Sequence, residues 1–187
     1  MKSIDSVMGR KNRRYKKDRR YLFVDGYNII NQWENLTPLI DKDLELAREK
    51  LIESLLEFSH VQDLEIILVF DAYKVKGNQG TSFKKDNLEV VYTKELETAD
   101  HYIEKELDHI GRVREVTVAT SDYIEQQIIL ARGGSRISAR ELEVMVKNSQ
   151  SLVRLEAKKI KKTTKSIKNT LKEETLKELE DIKKSLE

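Results

Sequence analysis

Three apolar runs in this chain finish in an aspartate: Phe23-Val24-Asp25, Val69-Phe70-Asp71 and Ala119-Thr120-Ser121-Asp122. Two more acids, Glu97 and Asp100, follow a fourth run, Leu88-Glu89-Val90-Val91-Tyr92. They are three residues apart, which puts both on one side of a helical turn. Carboxylates gathered in one cleft repel and raise one another's pKa unless a cation sits between them. Mg²⁺ or Mn²⁺, hard ions that prefer oxygen, suits such a set. One or two such ions would activate a water, orient a phosphodiester and stabilise its leaving oxygen. Asp25, Asp71, Asp100 and Asp122 are therefore the predicted metal ligands, direct or through water, with Glu97 in support. All five are the predicted catalytic residues. Singly, each acid has a plainer role, since aspartate after a strand commonly forms a turn or caps a helix. Glu97 and Asp100 also suit a helix N-terminus through its dipole. Three strand-end acids in one small domain favour the joint site.

The elements that must position these acids alternate between strand and helix. Tyr21–Val24 is a short strand, followed by a loop that holds Trp33 and the only proline, Pro38. Leu44, Ala47, Leu51, Leu55 and Phe58 have helical spacing over 43–59. Strands are predicted at 64–70, 88–92 and 116–119, with helices over 98–110 and 122–132. Residues 72–87 read as a loop around Gly77-Asn78-Gln79-Gly80. A short fifth strand fits 135–137, and Ser138-Ala139-Arg140-Glu141 has the capping-box pattern that starts a helix. The last 53 residues contain neither Gly nor Pro and carry a thin apolar stripe through Ile160, Ile167, Leu171, Leu179, Ile182 and Leu186. This tail is predicted to be helical. Strands alternating with helices imply an α/β sandwich on a mainly parallel sheet. The strands are near-continuous apolar runs, as helices on both faces require. In such sheets ligands bind beyond the carboxyl ends of the strands, where these aspartates lie.

Composition sets further bounds. The chain has 187 residues and no cysteine, which excludes a disulfide scaffold and a Cys-ligated metal site. No apolar run approaches the ~20 residues of a membrane helix, and no signal-peptide core follows the early basic block. A cytoplasmic protein with no membrane partner is the expectation. The net charge of +2 hides a segregation. Residues 1–20 hold nine Lys/Arg and two Asp, +7 in all; residues 21–146 carry −10; residues 147–187 carry +5. An acidic body thus bears two basic arms, and basic arms bind polyanions by displacing counterions. The N-terminal arm, with Arg13 and Arg14, is predicted to contact substrate phosphates and to be disordered when free, since it cannot bury a core. Met8, inside the arm, is an alternative start. The plainer reading of both arms is solubility alone.

Around Asp25 lie Asn28, suited to orienting a water or a ligand, or to capping the next segment, and Tyr27 and Trp33, suited to base stacking or to a core. Lys74 and Lys76, after Asp71, are predicted to grip phosphates at the cleft mouth. His60, His101 and His109 show no metal-ligand spacing.

The run Val24-Asp25-Gly26-Tyr27-Asn28-Ile29-Ile30, with Val69-Phe70-Asp71-Ala72, Glu97-Thr98-Ala99-Asp100 and Ala119-Thr120-Ser121-Asp122-Tyr123, resembles the NYN domain of the PIN-like nuclease superfamily. The match is to the bacterial YacP-like branch, and Val75-Lys76-Gly77 and Ser138–Glu141 resemble it too. It covers roughly residues 21–150 and leaves the basic arm outside. The resemblance implies a three-layer α/β/α fold with strand order 3-2-1-4-5. It implies an acidic Mg²⁺ or Mn²⁺ site and endoribonuclease activity leaving 5′-phosphate and 3′-hydroxyl ends. It also implies cleavage of messenger RNA on the ribosome, in the A site. Asp25, Asp71, Glu97, Asp100 and Asp122 fall on that family's acidic positions, and Asn28 on its amide.

The sequence thus predicts a basic arm (1–20), a nuclease domain (21–150) and a charged helical tail (151–187). The chain is expected to be a monomeric, metal-dependent endoribonuclease with messenger RNA and the ribosome as partners. The chief alternative is a non-catalytic RNA- or ribosome-binding module whose acids are relics. A receiver-like or phosphatase-like fold is disfavoured because Tyr27, not an acid, stands two residues after Asp25. A flap-cleaving DNA nuclease is disfavoured because the chain lacks helical insertions for threading a flap.

Overall fold

The computed structural model describes residues 15, 16, 18–71, 80–110, 115–120, 129 and 134–184, with little beyond the backbone after 164. Two units are distinguished, Met1–Lys147 and Asn148–Glu187.

The first unit is built on strands β1 (Tyr21–Asp25), β2 (Glu65–Phe70), β3 (Thr81–Lys85), β4 (Leu88–Tyr92), β5 (Val116–Ala119) and β6 (Ser135–Ile137). Helices α1 (Gly26–Gln32), α2 (Leu44–Gln62) and α3 (Ala99–Ile110) lie between them, and α4 (Ala139–Lys184) follows β6. The spatial order is β3-β4-β2-β1-β5-β6. Every neighbouring pair is parallel except β3 with β4. Without β3, this is the predicted order 3-2-1-4-5.

Period-two alternation explains why the central strands are apolar throughout. Leu22 and Val24 of β1 join Ile66, Leu68 and Phe70 in a core covered by α1, α2 and the start of α4. Tyr21 and Phe23 join Ile67, Val69 and Val91 in a second core covered by α3, through Ala99, Ile103, Leu107 and Ile110. Burying both faces demands apolar residues at every position.

Three features differ from the sequence reading. The stretch after Asp25 is not simply a loop: α1 starts at once, because Asp25 itself caps it, and Pro38 lies in a 3₁₀ turn at Thr37–Leu39. The predicted 72–87 loop contains β3, which is exposed along its whole length and so lacks the apolar alternation of a buried strand. It pairs with β4 through a two-residue turn at Asp86-Asn87, with Asp86 in the left-handed region (φ 52°) that Asp and Asn tolerate. The third is Tyr15, inside the arm expected to lack a core. It is buried in the α3-side core, edge-on to Tyr21, with its hydroxyl bonded to the buried Glu106 carboxylate. Arg19 pairs with Asp63, and Arg20 donates to the Gln62 carbonyl. The predicted helix over 122–132 lies outside the described residues, apart from Ile129.

The capping box is present. Ser138 Oγ accepts from Glu141 N at 3.2 Å, and the Glu141 carboxylate accepts from Ser138 N at 2.6 Å. In the second unit the chain stays helical to Lys184, with Leu152, Val153, Leu155 and Ile160 exposed. Among the described residues no helix is long and apolar enough to cross a membrane.

Candidate active site at the carboxyl edge of the sheet

Asp25 is the last residue of β1, paired in register with Val69 of β2. Asp71 follows β2 directly. Both continue the odd-numbered series Tyr21, Phe23 and Ile67, Val69, which faces α3. Asp100 stands in the first turn of α3, at the same edge. Strand parity and helix placement thus bring acids from three elements to one side of one sheet edge.

The local sequence fixes Asp25 tightly. Its Oδ1 accepts from Tyr27 N at 3.0 Å and Asn28 N at 3.1 Å, the N-cap of α1. Oδ2 makes no hydrogen bond among the described residues. Gly26 is required next to it, because a Cβ there would overlap the Phe70 ring. That close approach lets the chain leave the strand and turn straight into a helix. Asp25 is largely buried, and its pKa is pushed up to about 6. Burial is the main cause; the charges of Asp100 and Asp71 push the same way, against the two backbone N–H groups. Asp25 therefore feels the charges of both Asp100 and Asp71.

Glu97 and Asp100 do not serve as the cap of α3. Thr98 does, its Oγ1 accepting from His101 N at 3.2 Å. Asp100 is exposed, and Glu97 is half-buried with its carboxylate 3.8 Å from Lys105 Nζ and 3.5 Å from Lys94 N. Asn28 meets Asp25 through its backbone, while its side-chain oxygen accepts from Gln32 Nε2 at 2.8 Å. Tyr27 and Trp33 are core residues: the Tyr27 hydroxyl accepts from Arg48 at 3.1 Å, and Trp33 Nε1 donates to the Ala139 carbonyl at 2.9 Å. Both keep their polar ends paired, as buried aromatics must. The three histidines are exposed, with His60 3.6 Å from Asp86 and His109 3.6 Å from Glu106.

Asp122, Lys74, Lys76, Arg13 and Arg14 lie outside the described residues. Among the described residues no three acidic or histidine side chains group closely enough to hold a metal ion by themselves. The chemistry of the donor set nonetheless fits a hard divalent cation. Asp25 offers a partly desolvated oxygen, and the repulsion from Asp71 and Asp100 is what a cation relieves. Two features escaped the sequence reading. One is Arg48, buried on α2 and bridging Tyr27 and Glu45. The other is the groove formed by the β3–β4 hairpin beside Glu97. Arg48 occupies a core position of α2 beside Ala47 and Leu51, so a charged residue inside that apolar period was its only signal.

The sheet order, the helices on both faces and the acids at the carboxyl edge define a PIN-like α/β domain, a nuclease-like fold. The chain belongs to the YacP-like NYN domain family, whose pattern matches residues 22–184. It is 39% identical over 160 residues to "Uncharacterized protein YacP" of Bacillus subtilis (strain 168), covering 85% of this chain and 94% of that protein. It is also similar to the crystal structure of Rae1 (YacP) from Bacillus subtilis, with a TM-score of 0.68 at 38% identity. That match covers 86% of this chain and 92% of the other. A crystal structure of a mutant of the same protein matches with a TM-score of 0.66 at 37% identity, over 75% and 83% of the two chains.

Proposed function

We propose that the chain is a metal-dependent endoribonuclease that cleaves messenger RNA on the translating ribosome, in the A site. One observation carries the reading: Asp25, Asp71 and Asp100 stand at one sheet edge, and Asp25 is largely buried there under the charges of the other two. Membership of a family with a nuclease-like fold supports it.

Asp25, Asp71 and Asp100, with Asp122, would hold Mg²⁺ or Mn²⁺. The ion would supply charge neutralisation and a lowered water pKa at the phosphodiester. The protein's own work is positional. Oδ1 of Asp25 is locked by two backbone N–H groups, so Oδ2 is presented in one direction. Glu97, held at the turn before α3, supports the cluster from the side. Water adds to phosphorus and the bond to the 3′ oxygen breaks, leaving a 5′-phosphate and a 3′-hydroxyl. Lys74, Lys76 and the arm residues Arg13 and Arg14 would meet phosphates, and Asn28 would border the substrate. The −10 charge of residues 21–146 opposes free RNA in general. A ribosome that delivers the strand to the site offsets that repulsion. We place the protein in the cytoplasm and as a monomer.

The test is incubation of messenger RNA with the full chain and Mg²⁺ or Mn²⁺, with and without translating ribosomes, beside Asp25→Asn. Cleavage that needs ribosomes, metal and Asp25 is the expected outcome. No cleavage in any condition, with ribosome binding retained by the variant, would instead make this a binding module.

A further inference from the structure

A groove of about 240 Å³ opens beside the candidate site and shares Glu97 with it. Its walls come from the end of the β3–β4 hairpin (Thr81, Ser82, Thr93), from Lys94, and from Tyr102 on α3, two residues after Asp100. It lies at the same sheet edge as the carboxylates. A strand whose phosphate reaches Asp25 and Asp100 would carry its neighbouring base to this groove.

The lining says what fits. Glu89 and Glu97 are among the walls, which disfavours a phosphate. Thr81, Ser82 and Thr93 line the groove together with half-buried Tyr102, a mix of small polar residues and one aromatic that suits a neutral planar group with polar edges. The volume is below the usual range for a drug-sized ligand, so it suits one ring system rather than a whole nucleotide.

Two backbone features mark the turns that border the groove. Gly80 sits at φ +80°, a conformation that favours glycine, where the hairpin meets the Lys94 loop. Leu96, between the wall residues Lys94 and Glu97, adopts φ 71° and is fully exposed. A leucine in the left-handed region is strained, and here no burial compensates. Leu96 is not itself a wall of the groove; it stands in the turn that joins two of its walls.

We propose that this groove is a nucleobase pocket for the nucleotide next to the scissile phosphate. Tyr102 is its stacking face. The carboxylates among its walls favour a base with an amino donor over uracil. The proposal rests on the RNA-cleaving reading of the neighbouring site.

The experiment uses the full-length Asp25→Asn protein, which does not depend on turnover, and short single-stranded RNAs containing one 2-aminopurine. Affinity and fluorescence quenching are read for this protein and with Tyr102→Leu or Leu96→Gly added. Tyr102→Leu keeps an apolar body against the core and removes the aromatic face. It should weaken binding by about tenfold and abolish the quenching, as loss of one base–aromatic stack does. Leu96→Gly should raise the melting temperature, because glycine relieves the strain, and leave binding and quenching unchanged, since Leu96 lines no wall of the groove. In the cleavage-competent background, Tyr102→Leu should broaden the base preference beside the cut. Unchanged affinity, quenching and cleavage positions in Tyr102→Leu would overturn the pocket. If the wild type cleaves nothing while Tyr102-dependent quenching is found, the nuclease reading fails and the pocket stands.

Discussion

Asp25→Asn separates the stability of the fold from the chemistry of the site, because the same carboxylate burdens one and serves the other. Its pKa of about 6 in the folded protein, against 3.8 for an ordinary aspartate, is a rise of about two units. At ~1.4 kcal/mol per unit this corresponds to about 3 kcal/mol. The sign follows from proton linkage: between pH 4 and 6 the folded state binds the proton that the unfolded chain has released. This group's contribution is therefore fully present below about pH 4 and is lost as pH rises through 6. Asparagine cannot ionise, and its Oδ1 can still accept from Tyr27 N and Asn28 N, so the cap survives. In EDTA at pH 8, Asp25→Asn should be more stable than wild type by up to about 3 kcal/mol. For a chain of this size that is ~6–12 °C in melting temperature. The gap should close near pH 4. Mn²⁺ should raise the wild-type melting temperature and leave the variant nearly unmoved, since ligand binding stabilises only the form that binds. The assay is thermal denaturation by circular dichroism across pH, with and without Mn²⁺. A variant no more stable than wild type at pH 8 in EDTA would refute the burial and repulsion assigned to Asp25.

Other substitutions test the frame around the site. Gly26→Ala should destabilise by about 1–3 kcal/mol in urea unfolding, because the new Cβ meets the Phe70 ring. Tyr15→Phe should cost about 1–3 kcal/mol, since it removes the hydroxyl that donates to buried Glu106; an unchanged urea midpoint would show that Tyr15 is not docked. Ser138→Ala should cost about 1 kcal/mol through loss of the cap before α4, measured in the same way.

The parallel sheet was legible because burying both faces forces unbroken apolar runs, and those runs end at the site edge. That is why the sequence alone pairs Asp25 with Asp71. The capping box at Ser138 and Glu141 was legible because its chemistry is confined to four residues. Strand β3 was not, because its side chains are exposed and Lys84 and Lys85 give it the polar character of an edge strand. Tyr15 was hidden by averaging: one aromatic among nine cations does not change a segment's composition, yet it finds Tyr21, Phe23 and Glu106. The groove beside Glu97 depends on β4, α3 and one glycine meeting in space, which no local pattern encodes.

The docking of Tyr15 also constrains what the basic arm can do. Tyr15 packs on Tyr21, at the amino end of β1, whereas Asp25 closes the carboxyl end. At ~3.3 Å per residue the two ends of that strand are about 13 Å apart. Tyr15 therefore holds the described end of the arm on the edge away from the carboxylates, and the expectation drawn from it is that the cations of residues 1–14 meet phosphates away from the scissile one. They should then contribute affinity without selecting the cut. Residues 1–14 carry five Lys/Arg, so deleting them should flatten the dependence of log affinity on log salt by up to ~3.5, at ~0.7 per single-stranded phosphate contact. Cleavage positions should not change. Binding titrations of a labelled single-stranded RNA across salt, together with mapping of the cleaved ends, would test both parts. A truncated protein with an unaltered salt slope would reduce the arm to a solubilising tail, and one with altered cleavage positions would bring the arm to the site itself.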